Sequence, residues 1–514
     1  MPPPSTLTSD PPLHRARRPL QIGLVLAAVA VVLRLPAFLA DRHLSFDDGV
    51  YGASATAMRD GAAPFRDVFS SQGPLFLPLV RLADLVGLEA RMAPRLLAVA
   101  SGVAVTLAAW TIARRLVGAT PAVVTGVLVA SSGSVLWVTG ALASDGPTIA
   151  LAAWTVAVAL AFRDGPSTRP AVLMGALAGA AFAVKSLFAV PAGLAVAWVL
   201  LEGRHWRALV TGSAVAGAVV LAAALPWGLS DVWDQSVAYH LEVAADRTPF
   251  ANARRIVTTA WDRDLLVLAA VVLATLLAFV RAVPTLSRHL PPSWGTSPFT
   301  ARTTPPRREG DGRWGGPVAP VVAWTVGVVV VLVLEHPMWR PHVSHLVAPA
   351  AILAVWSARR HLRIFVAALA VVAVGHALTV ARIVAPEPYS DAEARAVALL
   401  DDLPDDAFAI SDEPGLVWAS GHRTPADLVD TSMLRIETER ITAASVTADA
   451  ADPRVCAVLV WSHRFADLDL EPRLEAAGYV ERVDFRDPRV LLTRPGCDPS
   501  GRGPAAAAPA RSRG

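Results

Sequence analysis

The sequence predicts a polytopic α-helical membrane protein with a small α/β domain at its C-terminal end. The 514 residues are 54% hydrophobic and only 17% charged, with a mean hydropathy of +0.46. A soluble protein carries roughly 25% charged residues. Apolar runs long enough to cross a bilayer as a helix recur between residues 20 and 383. The net charge of +3, with no basic stripe, argues against a nucleic-acid partner.

Hydrophobic windows predict about eleven transmembrane helices. They are expected at residues 20–40, 93–113, 118–138, 147–162, 171–185, 187–201, 208–228, 264–283, 318–335, 346–357 and 362–382. The first run is too long for a signal peptide and lacks a clear small-residue cleavage site, so we expect a retained helix. The Gly/Ala-rich runs 175–183 and 212–217 predict close packing between helices.

Arginine placement predicts the orientation in the membrane, because positive charge favours the cytoplasmic side. Arg15, Arg17 and Arg18 precede the first span, so the tail 1–19 is expected inside. The Pro/Arg-rich linker 284–317 then falls on the same side. An odd number of spans places everything after residue 383 outside. We expect a multi-pass protein of a bacterial plasma membrane, with a transmembrane domain over residues 20–383.

Residues 384–496 are expected to form the extracytoplasmic α/β domain. The pattern predicts a helix at 391–400 and strands at 407–411, 457–461 and 490–493, followed by a disordered tail at 497–514. Cys456 and Cys497 are the two cysteines of the chain. They could form a disulfide in an oxidising compartment, or remain two unpaired thiols, and their spacing does not decide between these.

The first outside loop, 41–92, contains the adjacent acids Asp47 and Asp48, with Tyr51 one helical turn after Asp47. An acid at a helix N-terminus is stabilised by the helix dipole and can cap free N–H groups. Capping explains one acid better than two, since adjacent carboxylates repel and one can titrate high. A carboxylate in a cleft at the membrane can also act as a general base or help bind a divalent cation. We predict that Asp47 is the functional acid and that Asp48 is its cap or metal helper.

Several short motifs resemble those of the GT-C class of polyprenyl-phosphate-sugar-dependent glycosyltransferases, in the protein-mannosyltransferase and aminoarabinose-transferase branch. Those proteins have Asp-Glu after the first transmembrane helix, a "G..P..D" segment, a "PPL" turn, a second acidic motif and an "LAxxTK" stretch. The corresponding segments here are Asp47-Asp48-Gly49-Val50-Tyr51, Gly61-Ala62-Ala63-Pro64-Phe65-Arg66-Asp67, Gln72-Gly73-Pro74-Leu75, Ser144-Asp145-Gly146-Pro147 and Phe182-Ala183-Val184-Lys185-Ser186. Asp48 replaces the commoner Glu. Ser71-Gln72-Gly73-Pro74 replaces the usual His-Pro-Pro, so the family's His has no counterpart.

The resemblance implies a GT-C-like fold and the transfer of a sugar from a polyprenyl-phosphate carrier to an extracytoplasmic glycan, lipid or protein. It also implies that Asp47 is the general base. Candidates for binding the substrate or its lipid phosphate are Tyr51, Arg66, Asp145, Lys185, Arg340, His342 and His345. Lys185 is the only lysine and borders two apolar runs, where an ionisable residue is a functional candidate by default. The alternative for Lys185 is a side chain that snorkels to the interface.

A second polar cluster covers residues 335–345. His342 and His345 are three residues apart and can share a helix face, which permits a metal site. This signal is weak without a carboxylate or cysteine at matching spacing, so we favour phosphate binding through Arg340 and interface packing for Trp339. We assign no metal ligand, and a divalent cation remains a possible cofactor.

Two other functions compete with transfer. A transporter or flippase should show repeated halves with charges at the midplane, whereas no convincing repeat is present and the charges lie at predicted membrane exits. A non-catalytic envelope-assembly protein of the same fold is the third reading. No Gly-rich phosphate loop follows a strand, and no serine nucleophile elbow is present. The sequence does not indicate which sugar or acceptor is used.

Overall fold

The computed structural model describes residues 12–39, 43–82, 93–242, 248–282, 316–486 and 488–497. Within these residues, a helical region extends to residue 384 and a smaller α/β domain follows it. Of the predicted linker 284–317, only its last two residues are described. The predicted disordered tail lies outside the described residues except for its first residue, as do residues 1–11 of the N-terminal tail.

Helices coincide with all of the predicted spans in the first half of the helical region, and two short helices lie in the predicted outside loop 41–92. The helices are α1 (Pro12–Val32), α2 (Leu35–Leu39), α3 (Phe46–Arg59), α4 (Phe76–Leu82), α5 (Ala93–Val117), α6 (Ala119–Ala130), α7 (Gly133–Gly140), α8 (Asp145–Asp164), α9 (Thr168–Val184), α10 (Ser186–Glu202) and α11 (Trp206–Ala224).

The second half of the helical region adds short helical pieces over residues 229–263 and then four further apolar helices. In order these are α12 (Leu229–Trp233), a π-helical turn (Asp234–Ala238), α13 (Tyr239–Glu242), α14 (Pro249–Arg263), α15 (Leu265–Ala282), α16 (Ala319–Leu334), α17 (Ser344–Ala358) and α18 (Leu362–Val384). Short 3₁₀ turns at Leu225–Trp227, Arg340–Val343 and Arg359–His361 join neighbouring helices.

Some of the apolar helices are long enough to span a membrane, and others are bent or shorter. By length and hydropathy, four helical stretches among the described residues can cross a membrane, or up to six if each of two bent pairs counts as one span. Four shorter apolar helices, which include α9 and α10, account for further predicted spans. The structure therefore has helices at the predicted positions. Several of the predicted spans are interrupted by a bend or a short break.

Two of these breaks meet at one buried carboxylate. The predicted span 118–138 bends by 57° between α6 and α7, and α14 meets α15 at 110°. Asp264, at the second bend, accepts hydrogen bonds from the Ser132 hydroxyl at 2.5 Å and the Ser134 backbone N–H at 3.0 Å. Asp264 thus pairs with one of the free backbone N–H groups at the start of α7, which would otherwise be unpaired inside the helical region.

Close helix packing in the Gly/Ala-rich runs is confirmed. A Cβ atom on Gly175 of α9 would overlap the Gly212 carbonyl oxygen of α11, and a Cβ on Gly179 would overlap the Ala216 carbonyl oxygen. The absence of side chains therefore allows the two helix backbones to touch, as small residues do between membrane helices.

The C-terminal domain is built on one small mixed sheet. Its strands are β1 (Phe408–Ser411), β2 (Val455–Val460), β3 (Val480–Arg486) and β4 (Arg489–Thr493), in the spatial order β1-β2-β4-β3. β1 and β2 are parallel, and the other pairs are antiparallel. The sequence predicted the segments that became β1, β2 and β4 and missed β3, whose side chains are mostly half-buried or exposed.

Short helices surround this sheet. They are α19 (Asp391–Asp401), α20 (Pro414–Ala419), α21 (Met433–Glu437), α22 (Ala443–Ala450), α23 (His463–Ala466) and α24 (Glu471–Ala476), with a 3₁₀ turn at Ala426–Leu428. α19 begins where the sequence predicted it, because Ser390 and Glu393 form a reciprocal capping box. The sheet buries residues on both faces, including every residue of β2.

Cys456 and Cys497 form a disulfide with a Cα–Cα distance of 5.6 Å. The bond ties the central strand β2 to the end of the domain. It closes a loop with a sequence separation of 41 residues. A loop of this length constrains the unfolded chain substantially.

Replacing both cysteines with serine is expected to lower the free energy of unfolding of the C-terminal domain by about 4 kcal/mol, from the chain-entropy cost of closing this loop. Thermal unfolding of purified protein, with and without reductant, measures the change. Reductant should lower the melting temperature of the wild type and leave that of the double variant unchanged. An identical wild-type melting curve under both conditions would contradict the prediction.

The C-terminal domain packs directly on the first-loop helix α3. A Cβ on Gly49 would overlap the backbone nitrogen of Gly415, and one on Gly52 would lie 2.6 Å from the Trp418 ring. An ion pair of 3.0 Å joins Arg423 to Asp60 at the other end of α3. Because α3 carries Asp47 and Asp48, this packing fixes the position of both acids relative to the domain.

Candidate functional site

Asp48 has a structural position at the start of α3. Its Oδ2 accepts hydrogen bonds from the Ser45 hydroxyl at 3.0 Å and the Ser45 backbone N–H at 3.2 Å, which completes a capping box. Its Oδ1 accepts a 2.8 Å bond from the Leu142 backbone N–H. Asp48 is therefore buried and saturated, and it joins α3 to the turn that precedes α8.

Asp47 is placed differently. It is half-buried, and the described residues offer it no hydrogen-bond partner. Burial, followed by the negative charge of Asp145, raises the pKa of this carboxyl to about 7, while Lys185 acts in the opposite direction. A carboxyl with a pKa near neutrality and a free face is suited to accept a proton.

Lys185 lies at the centre of a group of polar side chains that we call the Lys185 cluster: Asp145, Lys185, Glu335, His342 and His345. The Lys185 Nζ is 2.9 and 3.0 Å from the two carboxylate oxygens of Asp145 and 3.0 Å from His342 Nε2. Lys185 can reach them because the chain is extended between the end of α9 and the start of α10. About 16% of its side chain is exposed.

Each of the two histidines of the cluster is oriented by a carboxylate. His342 Nδ1 lies 2.9 Å from Glu335 Oε2, and His345 Nε2 lies 2.9 Å from Asp145 Oδ1. The Phe188 ring stacks on His345 at a centroid distance of 4.1 Å and packs obliquely on His342 at 4.8 Å. The 3₁₀ turn followed by α17 thus presents both imidazoles on one side, as their spacing predicted.

A turn at residues 71–75 supports the cluster. The Gly73 and Leu75 backbone N–H groups donate to the carbonyls of Val184 and Ala183, at 3.0 and 2.9 Å. Ser144 donates to Gln72 Oε1 at 2.7 Å. The turn therefore braces both residues that precede the charged pair, Ser144 before Asp145 and Val184 before Lys185.

Tyr51 lies beside Asp47 on the same face of α3. Its ring packs edge-on against Phe76 at 4.6 Å, and the side chain is 7% exposed. Burial, followed by the charge of Asp47, raises the pKa of the Tyr51 hydroxyl well above its usual value. Tyr51 is consequently neutral at physiological pH and can donate a hydrogen bond near Asp47.

The C-terminal domain also contributes to this site. Val429 is fully buried in the same apolar cluster as Tyr51 and Val184, which places Asp430 close to Asp47 and Lys185. The negative charge of Asp430 contributes to the raised pKa of Asp47. The segment is anchored by Arg435, whose guanidinium lies 4.3 Å from the Phe69 ring centroid and donates to the Asp430 carbonyl at 2.7 Å.

Two predicted phosphate ligands lie apart from the Lys185 cluster. Arg66 is exposed in the turn after α3. Arg340 pairs with Asp262 at 3.4 Å, with both side chains nearly half exposed. The other predicted site residues are Asp47, Tyr51, Asp145, Lys185, His342 and His345. They come from the first loop and from the ends of several helices, and they lie close enough for the charges of Asp145 and Lys185 to act on Asp47.

Sequence reasoning missed Glu335 and Asp430 as members of this site. Glu335 belongs to the polar segment 335–345, but it caps the end of α16 and is separated by a turn from His342, so no helical pattern joins the two residues. Asp430 lies in a loop of the C-terminal domain whose sequence carries no motif. Phe188 was read as part of an apolar run, and only the folded chain shows that its ring contacts both histidines.

A cavity of about 810 Å³ lies elsewhere. Thr56 and Asp60 of the α3 region line one side, and Arg423 and Asp449 of the C-terminal domain line the other. Thr56 is nine residues from Asp47, which is half a revolution around an α-helix. The cavity is therefore on the opposite side of α3 from Asp47.

Among the residues that the structure describes, no group of three or more His, Cys, Asp or Glu side chains is arranged to hold a metal ion. Around Asp145 and His342, the space between the carboxylate and the imidazole is taken by the Lys185 ammonium. The protein side chains thus do not fit a metal in this arrangement.

Comparison with known families gives one match. Residues 71–229 match the family model of dolichyl-phosphate-mannose-protein mannosyltransferases. This segment contains the 71–75 turn, Asp145 and Lys185. A search of curated proteins found no match to the chain.

Solved structures of similar fold cover nearly the whole chain. ArnT from Cupriavidus metallidurans bound to undecaprenyl phosphate superposes with a TM-score of 0.59 and 16% identity, over 91% of this chain and 97% of that chain. The Archaeoglobus fulgidus oligosaccharyltransferase in complex with zinc and sulfate gives 0.54 and 12%, over 90% and 71%. The resemblance inferred from the motifs is confirmed at the level of the fold, which is that of the GT-C glycosyltransferases.

Proposed function

We propose that this chain, on its GT-C fold, is an integral membrane glycosyltransferase that moves a sugar from a polyprenyl-phosphate carrier to an extracytoplasmic glycan, lipid or protein. The observation that supports this most is the pairing of two unlike groups in one cleft. Asp47 is a carboxyl with a pKa of about 7, and the Lys185 cluster offers a cation and two imidazoles nearby. Group transfer from a phosphate ester needs both a base and a cation.

In the proposed reaction, the acceptor hydroxyl attacks the anomeric carbon of the sugar. Its proton passes to the Asp47 carboxylate, and the bond between the anomeric carbon and the phosphate oxygen breaks with its electron pair. The polyprenyl phosphate leaves with the resulting negative charge and remains in the bilayer. Attack from the face opposite the leaving group inverts the configuration at the anomeric carbon.

The Lys185 cluster is the proposed site for the carrier phosphate. The ammonium of Lys185 is the fixed positive charge, and His342 and His345 are further donors when their ring nitrogens carry protons. ArnT was solved with undecaprenyl phosphate bound, which is the class of carrier we propose here. Arg66 and Arg340 are proposed to meet the phosphate at the rim of the cleft, since both are exposed and cationic.

The proposed orientation has the N-terminus in the cytoplasm and the C-terminal domain outside a bacterial plasma membrane. The arginine distribution supports it. The disulfide between Cys456 and Cys497 suits an oxidising compartment, such as the outer side of that membrane. On this side a lipid-linked donor can meet an acceptor from the aqueous phase.

Lipid-linked sugar profiling in a deletion strain tests the proposal. We expect one polyprenyl-phosphate sugar to accumulate in the deletion strain and return to its normal level when wild-type protein is supplied, but not when Asp47→Asn is supplied. An unchanged lipid profile would count against transfer. Flipping of the carrier by the purified protein in liposomes, with no sugar transfer, would favour the transporter, and equal complementation by both proteins would favour a non-catalytic role.

A further inference from the structure

We propose that Asn252 is a positioning residue of the site: from α14 it holds the end of α16, and through Glu335 it sets the orientation of His342. Asn252 lies in the predicted outside loop 230–263, outside every motif on which the family resemblance rests. The proposal rests on the proposed function for its effect on donor binding. Its effect on His342 can be measured without transfer activity.

The Asn252 side chain is fully buried against the C-terminal end of α16. Its Nδ2 atom donates hydrogen bonds to the Val333 carbonyl at 3.1 Å and to the Glu335 carbonyl at 2.8 Å. The last carbonyls of a helix have no partner within the helix, and unpaired carbonyls are costly where water is excluded. One amide group therefore supplies two of the donors that this helix end needs.

The residue held by Asn252 is the one that orients His342. The Glu335 Oε2 atom lies 2.9 Å from His342 Nδ1. Because a carboxylate can only accept, His342 carries its proton on Nδ1 and presents the Nε2 lone pair to Lys185, 3.0 Å away. The contacts from Asn252 to Lys185 are thus continuous, and a shift of the α16 end is passed on to the imidazole.

The turn that leads to His342 is attached to α14 at a second point, which is weaker. Arg340 pairs with Asp262 at 3.4 Å, and both side chains are nearly half exposed. An exposed ion pair contributes little, because water screens it and long side chains must be ordered to form it. The bonds of Asn252 are shielded from water, so they are the attachment that fixes the segment.

α14 can act as a support because both of its ends are held. At its start, the Thr248 hydroxyl accepts a hydrogen bond from the Ala251 backbone N–H at 3.3 Å, which caps the helix. Immediately after its end, Asp264 accepts from Ser132 and Ser134. Asn252 is therefore carried by a helix that is tied to the rest of the fold independently of the α16 end.

Asn252→Leu removes both donors and keeps the approximate size of the side chain. We expect His342 to lose its fixed orientation and to react several-fold faster with diethyl pyrocarbonate, which acylates imidazole nitrogens. Mass spectrometry of the full-length protein in liposomes measures the labelling rate of each histidine. His345 is the internal reference, because its carboxylate partner is Asp145. The labelling rate of His345 should not change.

Thr259→Val is the matched control on the same helix. Thr259 lies about two turns after Asn252 and is also fully buried. Among the residues that the structure describes, its hydroxyl oxygen has no hydrogen-bond partner. Valine keeps the shape of the side chain and removes no bond, so labelling of His342 and His345 and the rate of transfer should all match the wild type.

The kinetics of the proposed reaction give the second readout. In Asn252→Leu, the KM for the polyprenyl-phosphate sugar should rise about tenfold, the effect of one weakened hydrogen bond to a charged group. The value of kcat and the KM for the acceptor should stay within about twofold of the wild type, because Asp47 is untouched. A general loss of structure would lower kcat and the melting temperature instead.

Three results would overturn the proposal. One is equal labelling of His342 in Asn252→Leu and Thr259→Val. The second is a parallel rise at His342 and His345, which would mean that the whole region has loosened. The third is faster labelling of His342 with an unchanged donor KM in an active enzyme. If the wild type showed no transfer at all, the proposed function would fail, and the labelling alone would decide whether Asn252 positions His342.

Discussion

Replacing Asp47 with asparagine is expected to lower the rate of sugar transfer by roughly 10²–10⁴-fold, the contribution typical of a general base. Asparagine keeps the size of the side chain and cannot take the acceptor proton. The measurement is the initial rate of transfer from a labelled polyprenyl-phosphate sugar by protein in liposomes. A variant that keeps more than a tenth of the wild-type rate would refute Asp47 as the base.

The pH dependence separates a base from a binding residue. The raised pKa of Asp47, about 7, means that the carboxylate forms only as the pH passes neutrality. Wild-type kcat/KM should therefore rise about tenfold per pH unit below 7 and level off above it. The residual activity of Asp47→Asn should lack this inflection.

Asp48→Asn is the matched control, since it changes the adjacent residue in the same way. Asp48 is engaged with Ser45 and with the Leu142 backbone, and its loss weakens a helix cap. We expect a loss of stability of about 0.5–2 kcal/mol, typical of a removed cap. The inflection near pH 7 should persist in Asp48→Asn, and its disappearance there would mean that the two acids have been assigned the wrong way round.

Asp47→Asn should not destabilise the fold. The folded-state pKa of Asp47 lies above its unfolded value, so ionisation opposes folding. This cost is absent below about pH 4, grows as the pH rises towards 7 and is constant above it. Asp47→Asn removes the cost, and its melting temperature should match that of the wild type in acid and exceed it at pH 8. Loss of activity with equal or higher stability is the pattern expected of a catalytic residue.

The positions of the helices were predictable because a membrane helix leaves a long apolar run, while their breaks were not. The bends at α6–α7 and α14–α15 depend on Asp264 reaching Ser132 and Ser134, which lie about 130 residues earlier. No local pattern reports a contact between such distant residues. An aspartate at the edge of an apolar run was visible, but its partners were not.

The site was likewise predictable where the sequence carries a local signal and not where it depends on contacts between distant residues. Asp47, Asp145 and Lys185 stood out because charge is rare in an apolar sequence and because they belong to recognisable motifs. Their convergence is a property of the fold, since α3, α8 and the α9–α10 break meet only when the helices pack. Asp430 comes from a separate domain and became visible only through the burial of Val429 against the first loop.

Gly73→Ala is expected to have the second large effect, because it acts on the position of Lys185 without touching it. Gly73 lies where the 71–75 turn meets the end of α9, and a Cβ atom there would overlap the Ala183 carbonyl oxygen. The turn and the α9 end are also joined by the backbone bonds from Gly73 to Val184 and from Leu75 to Ala183, at 3.0 and 2.9 Å. The added methyl group must therefore push two paired backbone segments apart.

The displaced segment leads directly into Lys185, so the ammonium should move away from Asp145 and His342. A misplacement of about 1 Å in a site that depends on positioning can cost on the order of 10²-fold in rate. We expect Gly73→Ala to remain folded and to lose transfer by about this factor. The disulfide and the melting of the C-terminal domain should be retained, because that domain does not depend on the 71–75 turn for its own core.

Gly193→Ala supplies the comparison for Gly73→Ala. Gly193 lies within α10, eight residues after Lys185, and a Cβ there would meet no atom within 4 Å. Alanine should therefore leave transfer unchanged and stabilise α10 slightly, as alanine does in a helix. If both variants transferred sugar at the wild-type rate, the close approach at Gly73 would have no part in holding Lys185. If only Gly73→Ala failed, the geometry between the 71–75 turn and the α9–α10 break would set the position of the charge on which donor binding depends.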